Sequence, residues 1–204
     1  DAPAAGTAPG RLPPVRRPSP TLSLASLLTR LRFGRVLAPV SAVGRHPRVL
    51  RTLYRLETGA QRWNSLDPAL KHLAVMAAAV RINCSWCLDF GHWHAERLGL
   101  PMEKIRHVPV WREHRRLFSH RETLVLEYAE AMCETPPRVG DGLVAALRDE
   151  LGERALVELT AMISLENLRS RTYLALGLTS QGFSADCAVP PLPVRRGPNP
   201  EETP

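Results

Sequence analysis

The chain has 204 residues and a formal net charge of +7, long enough for one well-buried domain without requiring a second. Arginine supplies nearly all the positive charge, lysine occurring only at Lys71 and Lys104, and the arginines are spread among acidic residues rather than gathered into one block, so nucleic-acid binding is not expected. No stretch approaches the roughly 18 apolar residues that span a bilayer, Leu73 to Val80 coming nearest, so no membrane partner is expected either.

Both ends are rich in proline and glycine, and such segments lack the apolar residues to offset ordering entropy. Residues 1–20 and 189–204 are expected to be disordered tails around one helical domain at 21–188. The first residues lack the charged start and long apolar run of a secretory signal, and a cytoplasmic location is expected. Within the domain, Thr21 or Ser23 is the expected cap of a helix carrying Leu22, Leu24, Leu27, Leu28 and Leu31, which Gly34 ends. Val36 to Val43, with Pro39 inside it, reads as a short helix or a loop. His46-Pro47 then opens a segment bearing Val49, Leu50, Leu53, Tyr54 and Leu56, closed by Gly59, because proline suits a first helical turn.

Asp67-Pro68 is a strong helix start, a cap followed by a proline at the first position. The small apolar residues that follow, Leu70, Leu73, Ala74, Met76, Ala77, Ala78 and Val80, place that helix in the interior on more than one face. Asn83 interrupts it. A new helix is expected from about Cys84 to Leu98, stopped by Gly99 and Pro101, and a short one from Glu103 to His107. Val108 to Phe118 has no clear assignment. Three further helices follow: Arg121 to Cys133, stopped by Pro136-Pro137; Asp141 to Leu151, stopped by Gly152; and Ala155 to about Leu178. With no alternating strand pattern and no clear internal repeat, the fold expected is all-α, an orthogonally packed helical domain.

Four cysteines are too few and too unevenly placed for a disulfide scaffold. Cys133 and Cys187 read as packing residues, whereas Cys84-Ser85-Trp86-Cys87 reads as chemistry. Residues three apart share a helix face, so Cys84 and Cys87 can form and reopen a disulfide. In the first turn of a helix, unpaired amides and the positive end of the dipole favour the thiolate, the reactive form. A lone Cys-x-x-Cys is also found as half of a zinc site or as an incidental spacing. His92 and His94 would complete four ligands, but at about 100° per residue one continuous helix cannot bring all four to one tetrahedral ion. No metal and no cofactor is expected.

The motif Cys84-Ser-Trp-Cys87-Leu-Asp-Phe-Gly-His, preceded by the Ala-rich segment from Leu70 to Val80, is followed much later by Glu166-Asn167-Leu-Arg169-Ser-Arg171 and Leu176-Gly177-Leu-Thr-Ser-Gln181-Gly182-Phe183. Together these resemble the alkylhydroperoxidase AhpD-like, carboxymuconolactone decarboxylase family over roughly Arg48 to Cys187. The resemblance implies an all-helical fold assembled into a homo-oligomer, trimer or hexamer, and a dithiol that reduces a small-molecule hydroperoxide. It also implies roles: Cys87 attacks the peroxide oxygen and becomes a sulfenic acid, Cys84 resolves it as a disulfide, and a thiol or dithiol reductant protein resets the pair. Peroxidases of the family move protons with a Glu one helix upstream and a His four residues past the second cysteine. Those positions hold His72 and Gly91 here, with His92 one residue later.

His72 is therefore a candidate proton carrier, since an imidazole titrates near neutrality, and His92 is a second if Gly91 distorts its helix. Asp89 is read as a surface or capping partner of Arg81. Trp86, Phe90 and Trp93 are read as core or subunit contact, and Glu166, Arg169 and Arg171 as buried pairs or an interface, because unpaired charge in an apolar helix is costly. The Glu166 to Phe183 segment is read as a family-like ending rather than as chemistry. Two other functions share these residues: a decarboxylase or lactone-processing enzyme, which leaves the dithiol without a purpose, and a non-catalytic oligomeric binding protein that kept the fold and lost the relay.

Overall fold

A computed structural model describes residues 10–13 and 15–184. The expectations for residues 1–9, for the back tail at 189–204, for the domain limit at 188 and for Cys187 lie outside the described residues. Nine α-helices occur among the described residues: α1 (Pro20–Phe33), α2 (Ala38–Val43), α3 (Pro47–Ala60), α4 (Pro68–Ile82), α5 (Ser85–Arg97), α6 (Met102–His107), α7 (His120–Met132), α8 (Asp141–Leu151) and α9 (Glu153–Ala175). The stretch without a clear assignment is a pair of 3₁₀ turns, Val108–Val110 and Arg115–Leu117. No strand is present among the described residues, and no helix among them is long and apolar enough to cross a membrane.

Most boundaries sit where local chemistry puts them. Asp67 caps α4 by accepting from the amides of Ala69 at 2.9 Å and Leu70 at 3.2 Å, with Pro68 at the first position. A cap of this kind is worth about 1 kcal/mol. Ser119 and Glu122 form a reciprocal capping box on α7. The first helix is a correction: Ser19, not Thr21 or Ser23, caps it, because Pro20 lacks an N–H and takes the first helical position. Part of the expected front tail is also tied down, the Arg11 amide donating to the Leu176 carbonyl at 2.9 Å.

α4 is the central element, packed against α5, α7 and α9. Its Ala74, Ala77, Ala78 and Ala79 are buried, and short side chains let the neighbouring helices approach closely. Leu73 and Met76 fill the gaps between them, and Val125, Leu126, Leu147, Leu159 and Ile163 complete the core from α7, α8 and α9. The front of the chain is built differently. α1 buries only Leu22, leaving Leu24, Leu27, Leu28 and Leu31 exposed along one face.

Candidate active site

The junction between α4 and α5 fixes the dithiol. Asn83 closes α4 in the left-handed conformation (φ 68°), and the Cys84 amide turns back to the Ala79 carbonyl at 3.0 Å. Cys84 is thereby placed as the cap of α5, its sulfur accepting from the Cys87 amide at 3.3 Å. The two cysteines are joined as a disulfide, their Cα atoms 5.3 Å apart. Cys84 is 0 % exposed and Cys87 7 % exposed, so a small molecule arriving from solvent meets Cys87.

Cys87 has a partner that the motif does not contain. The Ser170 hydroxyl, one turn beyond Glu166 on α9, lies 3.3 Å from the Cys87 sulfur and 2.8 Å from Glu166 Oε1. Ser170 is fully buried and Glu166 nearly so. Burial pushes the Glu166 carboxyl up, against the opposing pull of Arg169 and Ser170. Arg169 donates to Glu166 Oε2 at 3.1 Å and clasps both oxygens of Glu57 on α3. Burial works against the charge on Arg169, and the two carboxylates more than restore it. The reading of Glu166 and Arg169 as a buried pair therefore holds, but the segment is not merely an ending: it delivers a hydroxyl and a carboxyl to the dithiol. Glu166 and Ser170 stand four apart and so share one face of α9, which was the available signal.

The candidate proton carriers face other groups. His72 donates from Nε2 to the Gly91 carbonyl at 3.1 Å. α5 runs through Gly91 without a break, and His92 Nδ1 donates to the Leu88 carbonyl at 2.8 Å, leaving its buried Nε2 unpartnered. Burial lowers the His92 pKa, with Arg106 adding to the effect and Asp89 opposing it. Neither imidazole is hydrogen-bonded to a cysteine sulfur. Gly91 is close-packed: a Cβ there would fall 2.4 Å from the sulfur of Met76, which is fully buried.

His72 gives a pH prediction. Burial, reinforced by His94, lowers its pKa to about 4, against the bond to Gly91. A histidine that titrates at about 6.5 when unfolded binds fewer protons in the native state between those two values. Its stabilising contribution is therefore complete above about pH 6.5 and is lost as the pH falls toward 4. We expect the urea-unfolding free energy to drop by about 2–3 kcal/mol across that window from this group, with His92 and His94 shifted in the same direction. His72→Gln should remove the largest share of the slope, and an unchanged slope would assign it elsewhere.

Asp89 overturns its sequence reading. Arg81 pairs with Glu134 instead, and Asp89 is buried, accepting from the amides of Gln181 at 2.8 Å and Ser184 at 2.7 Å and from the Ser184 hydroxyl at 2.9 Å. Burial alone would raise its pKa, but the bonds from Ser184, Phe183 and Gln181 hold it below the usual carboxylate range. The segment after α9 is thus strapped across α5. Gln181 Oε1 accepts from the Trp86 indole and the Ala38 amide, each at 2.8 Å. Phe183 packs on Phe90 and Trp93, and Trp86 stacks on Phe90 with centroids 5.1 Å apart. These aromatics are intramolecular packing, one of the two roles expected of them.

Comparison with known proteins fits this arrangement. The model of the carboxymuconolactone decarboxylase family matches residues 47–131, which hold α3 through most of α7 and the dithiol. YnjA, an uncharacterized protein of Escherichia coli (strain K12), is 36% identical over 181 residues, spanning 88% of this chain and 97% of its own. Among solved structures, the apo form of the debrominase Bmp8 superposes with a TM-score of 0.72 at 16% identity, covering 85% of this chain and 93% of that one. An AhpD-core peroxidase-related protein from Ralstonia eutropha JMP134 gives 0.72 at 15% identity, covering 88% and 97%.

Proposed function

The chain belongs to the carboxymuconolactone decarboxylase family, and from that premise we propose that it is a thiol-dependent oxidoreductase that reduces hydroperoxides through Cys84 and Cys87. The observation that carries the reading is the Cys84–Cys87 disulfide at the start of α5, with Cys87 the half that solvent reaches. A thiol in the first turn of a helix is drawn toward the thiolate by the unpaired amides and the dipole.

The Cys87 thiolate attacks the outer oxygen of ROOH. The S–O bond forms as the O–O bond breaks, leaving a Cys87 sulfenic acid and an alkoxide that takes up a proton to become ROH. The Cys84 thiol then attacks the sulfenic sulfur, forming the disulfide and releasing water. A dithiol protein returns the two electrons and is itself oxidised to a disulfide. Such a cycle belongs in a compartment that supplies reductant, which supports a cytoplasmic setting. The leucine face of α1 supports a homo-oligomer, since a row of exposed leucines is costly to leave in water.

The decarboxylase reading finds no use for the dithiol, and the non-catalytic reading rests on His72 and Gly91 standing where the relay is expected. One measurement separates them from ours. Reduced protein is mixed with hydrogen peroxide or cumene hydroperoxide in a stopped-flow instrument, and free thiols are counted afterwards. We expect rapid loss of two thiols per chain, with one ROH formed for each pair of thiols lost; no thiol loss with either peroxide would overturn the proposal.

A further inference from the structure

Peroxide cleavage needs a proton taken from the attacking thiol and one given to the departing oxygen. The two positions where the family resemblance implies those groups hold His72, bonded to Gly91, and Gly91 itself, packed on Met76. The only side-chain hydroxyl bonded to the Cys87 sulfur among the described residues is Ser170, and behind it stands Glu166. We infer that Ser170 is a further catalytic residue, and that it passes the Cys87 proton to a Glu166 carboxylate and back, an inference that rests on the thiol-oxidoreductase reading above.

The direction of the chain follows from counting protons. The Ser170 hydroxyl has one hydrogen and two acceptors in reach, the Glu166 oxygen at 2.8 Å and the Cys87 sulfur at 3.3 Å. A carboxylate oxygen is much the stronger acceptor, so the hydrogen points to Glu166 and a lone pair of Oγ faces the sulfur. In the reduced protein the Cys87 S–H donates into that lone pair. As the proton moves onto Oγ, the hydroxyl proton moves onto Glu166, giving a thiolate, an intact Ser170 and a neutral carboxylic acid. After the thiolate has taken the outer oxygen of ROOH, the alkoxide takes its proton from Ser170, which recovers one from Glu166. Atoms and charge balance, and Glu166 ends as the carboxylate it began.

The surroundings suit this exchange. Burial favours the neutral acid, which makes Glu166 a willing acceptor of the thiol proton, while Arg169 on Oε2 keeps the carboxylate accessible and fixes Oε1 toward Ser170. Glu57 in turn holds Arg169 through two of its nitrogens. Glu166 touches no substrate and acts through Ser170, so it is a positioning residue and proton store.

The test compares reactions that differ in how much the departing group gains from a proton. Ser170→Ala and Glu166→Gln, both close in shape to the parent, are reduced and reacted with cumene hydroperoxide, with bis(2-hydroxyethyl) disulfide and with iodoacetamide, following Cys87 by peptide mass spectrometry. An alkoxide leaves poorly without a proton, an alkyl thiolate gains less from one, and iodide gains nothing. We expect both variants to slow at least about tenfold toward the hydroperoxide and by a smaller factor toward the alkyl disulfide. Alkylation by iodoacetamide draws on the thiolate but on no returned proton, so it should fall least of the three. Ser170→Thr, which retains the hydroxyl, should recover the peroxide rate. Rates equal to the parent's in all reactions, or a fall of the same size in all three, would overturn the relay. If the parent spares hydroperoxides, the peroxidase reading fails by itself, and the alkyl disulfide measured against iodoacetamide still judges the relay.

Discussion

Reduced protein carrying Cys87→Ser is expected to lose no thiols to hydroperoxide on the parent's timescale, a drop of more than about a hundredfold in the rate of oxidation. A serine hydroxyl is neither ionised near neutrality nor comparably nucleophilic toward oxygen, and the remaining half of the pair, Cys84, is 0 % exposed. Cys84→Ser should behave differently. It keeps the accessible sulfur, so one thiol is still lost per peroxide reduced, but the sulfenic acid has no neighbour to close on. A dimedone adduct on Cys87 should accumulate in that variant and be absent from the parent. Fast oxidation surviving in Cys87→Ser, with the adduct on Cys84, would exchange the two roles while leaving the dithiol reading intact.

Arg169→Met should unfold the protein at markedly lower urea concentration, by about 3–5 kcal/mol at pH 7.5. Methionine matches much of the volume of the arginine stem but leaves the nearly inaccessible Glu166 carboxylate without its cation and releases Glu57. Glu166, already pushed up by burial, relieves part of this cost by protonating, so the loss should shrink as the pH is lowered. The double variant Arg169→Met, Glu166→Gln should be more stable than Arg169→Met alone, because the group left unpaired is then neutral. If Arg169→Met proves as stable as the parent, the network contributes nothing net and its arrangement must be explained by chemistry alone.

The course of the helices could be read wherever the signal lay within a few residues. Asp67-Pro68, Asn83, Gly99 with Pro101, and Gly152 mark helix limits because capping groups and left-handed residues act on their own turn. Residues 108–118 could not be read, since two 3₁₀ turns carry no extended periodicity. The dithiol was equally plain, its spacing being one helical turn. Its proton-handling surroundings were not. Ser170 is separated from Cys87 by 83 positions in the chain, and which side of α9 meets α5 is decided by packing on α4 rather than by any local pattern. Asp89 was misread for the same reason: its partners, Gln181 and Ser184, lie more than 90 positions away, while Arg81 was merely a nearby opposite charge in the sequence.

The contact between Gly91 and Met76 constrains how this site can change over generations. Any side chain introduced at residue 91 begins with a Cβ 2.4 Å from the buried sulfur of Met76, so Met76 must shift or become smaller to admit it. A histidine there, where peroxidases of the family carry theirs, is therefore coupled to a second residue on the facing helix. Shrinking Met76 alone leaves a void in the middle of α4 costing about 2–5 kcal/mol, and adding the side chain alone crowds the same space. Each change made singly is the less stable protein, so this packing favours proton transfer through groups that reach the dithiol from another helix.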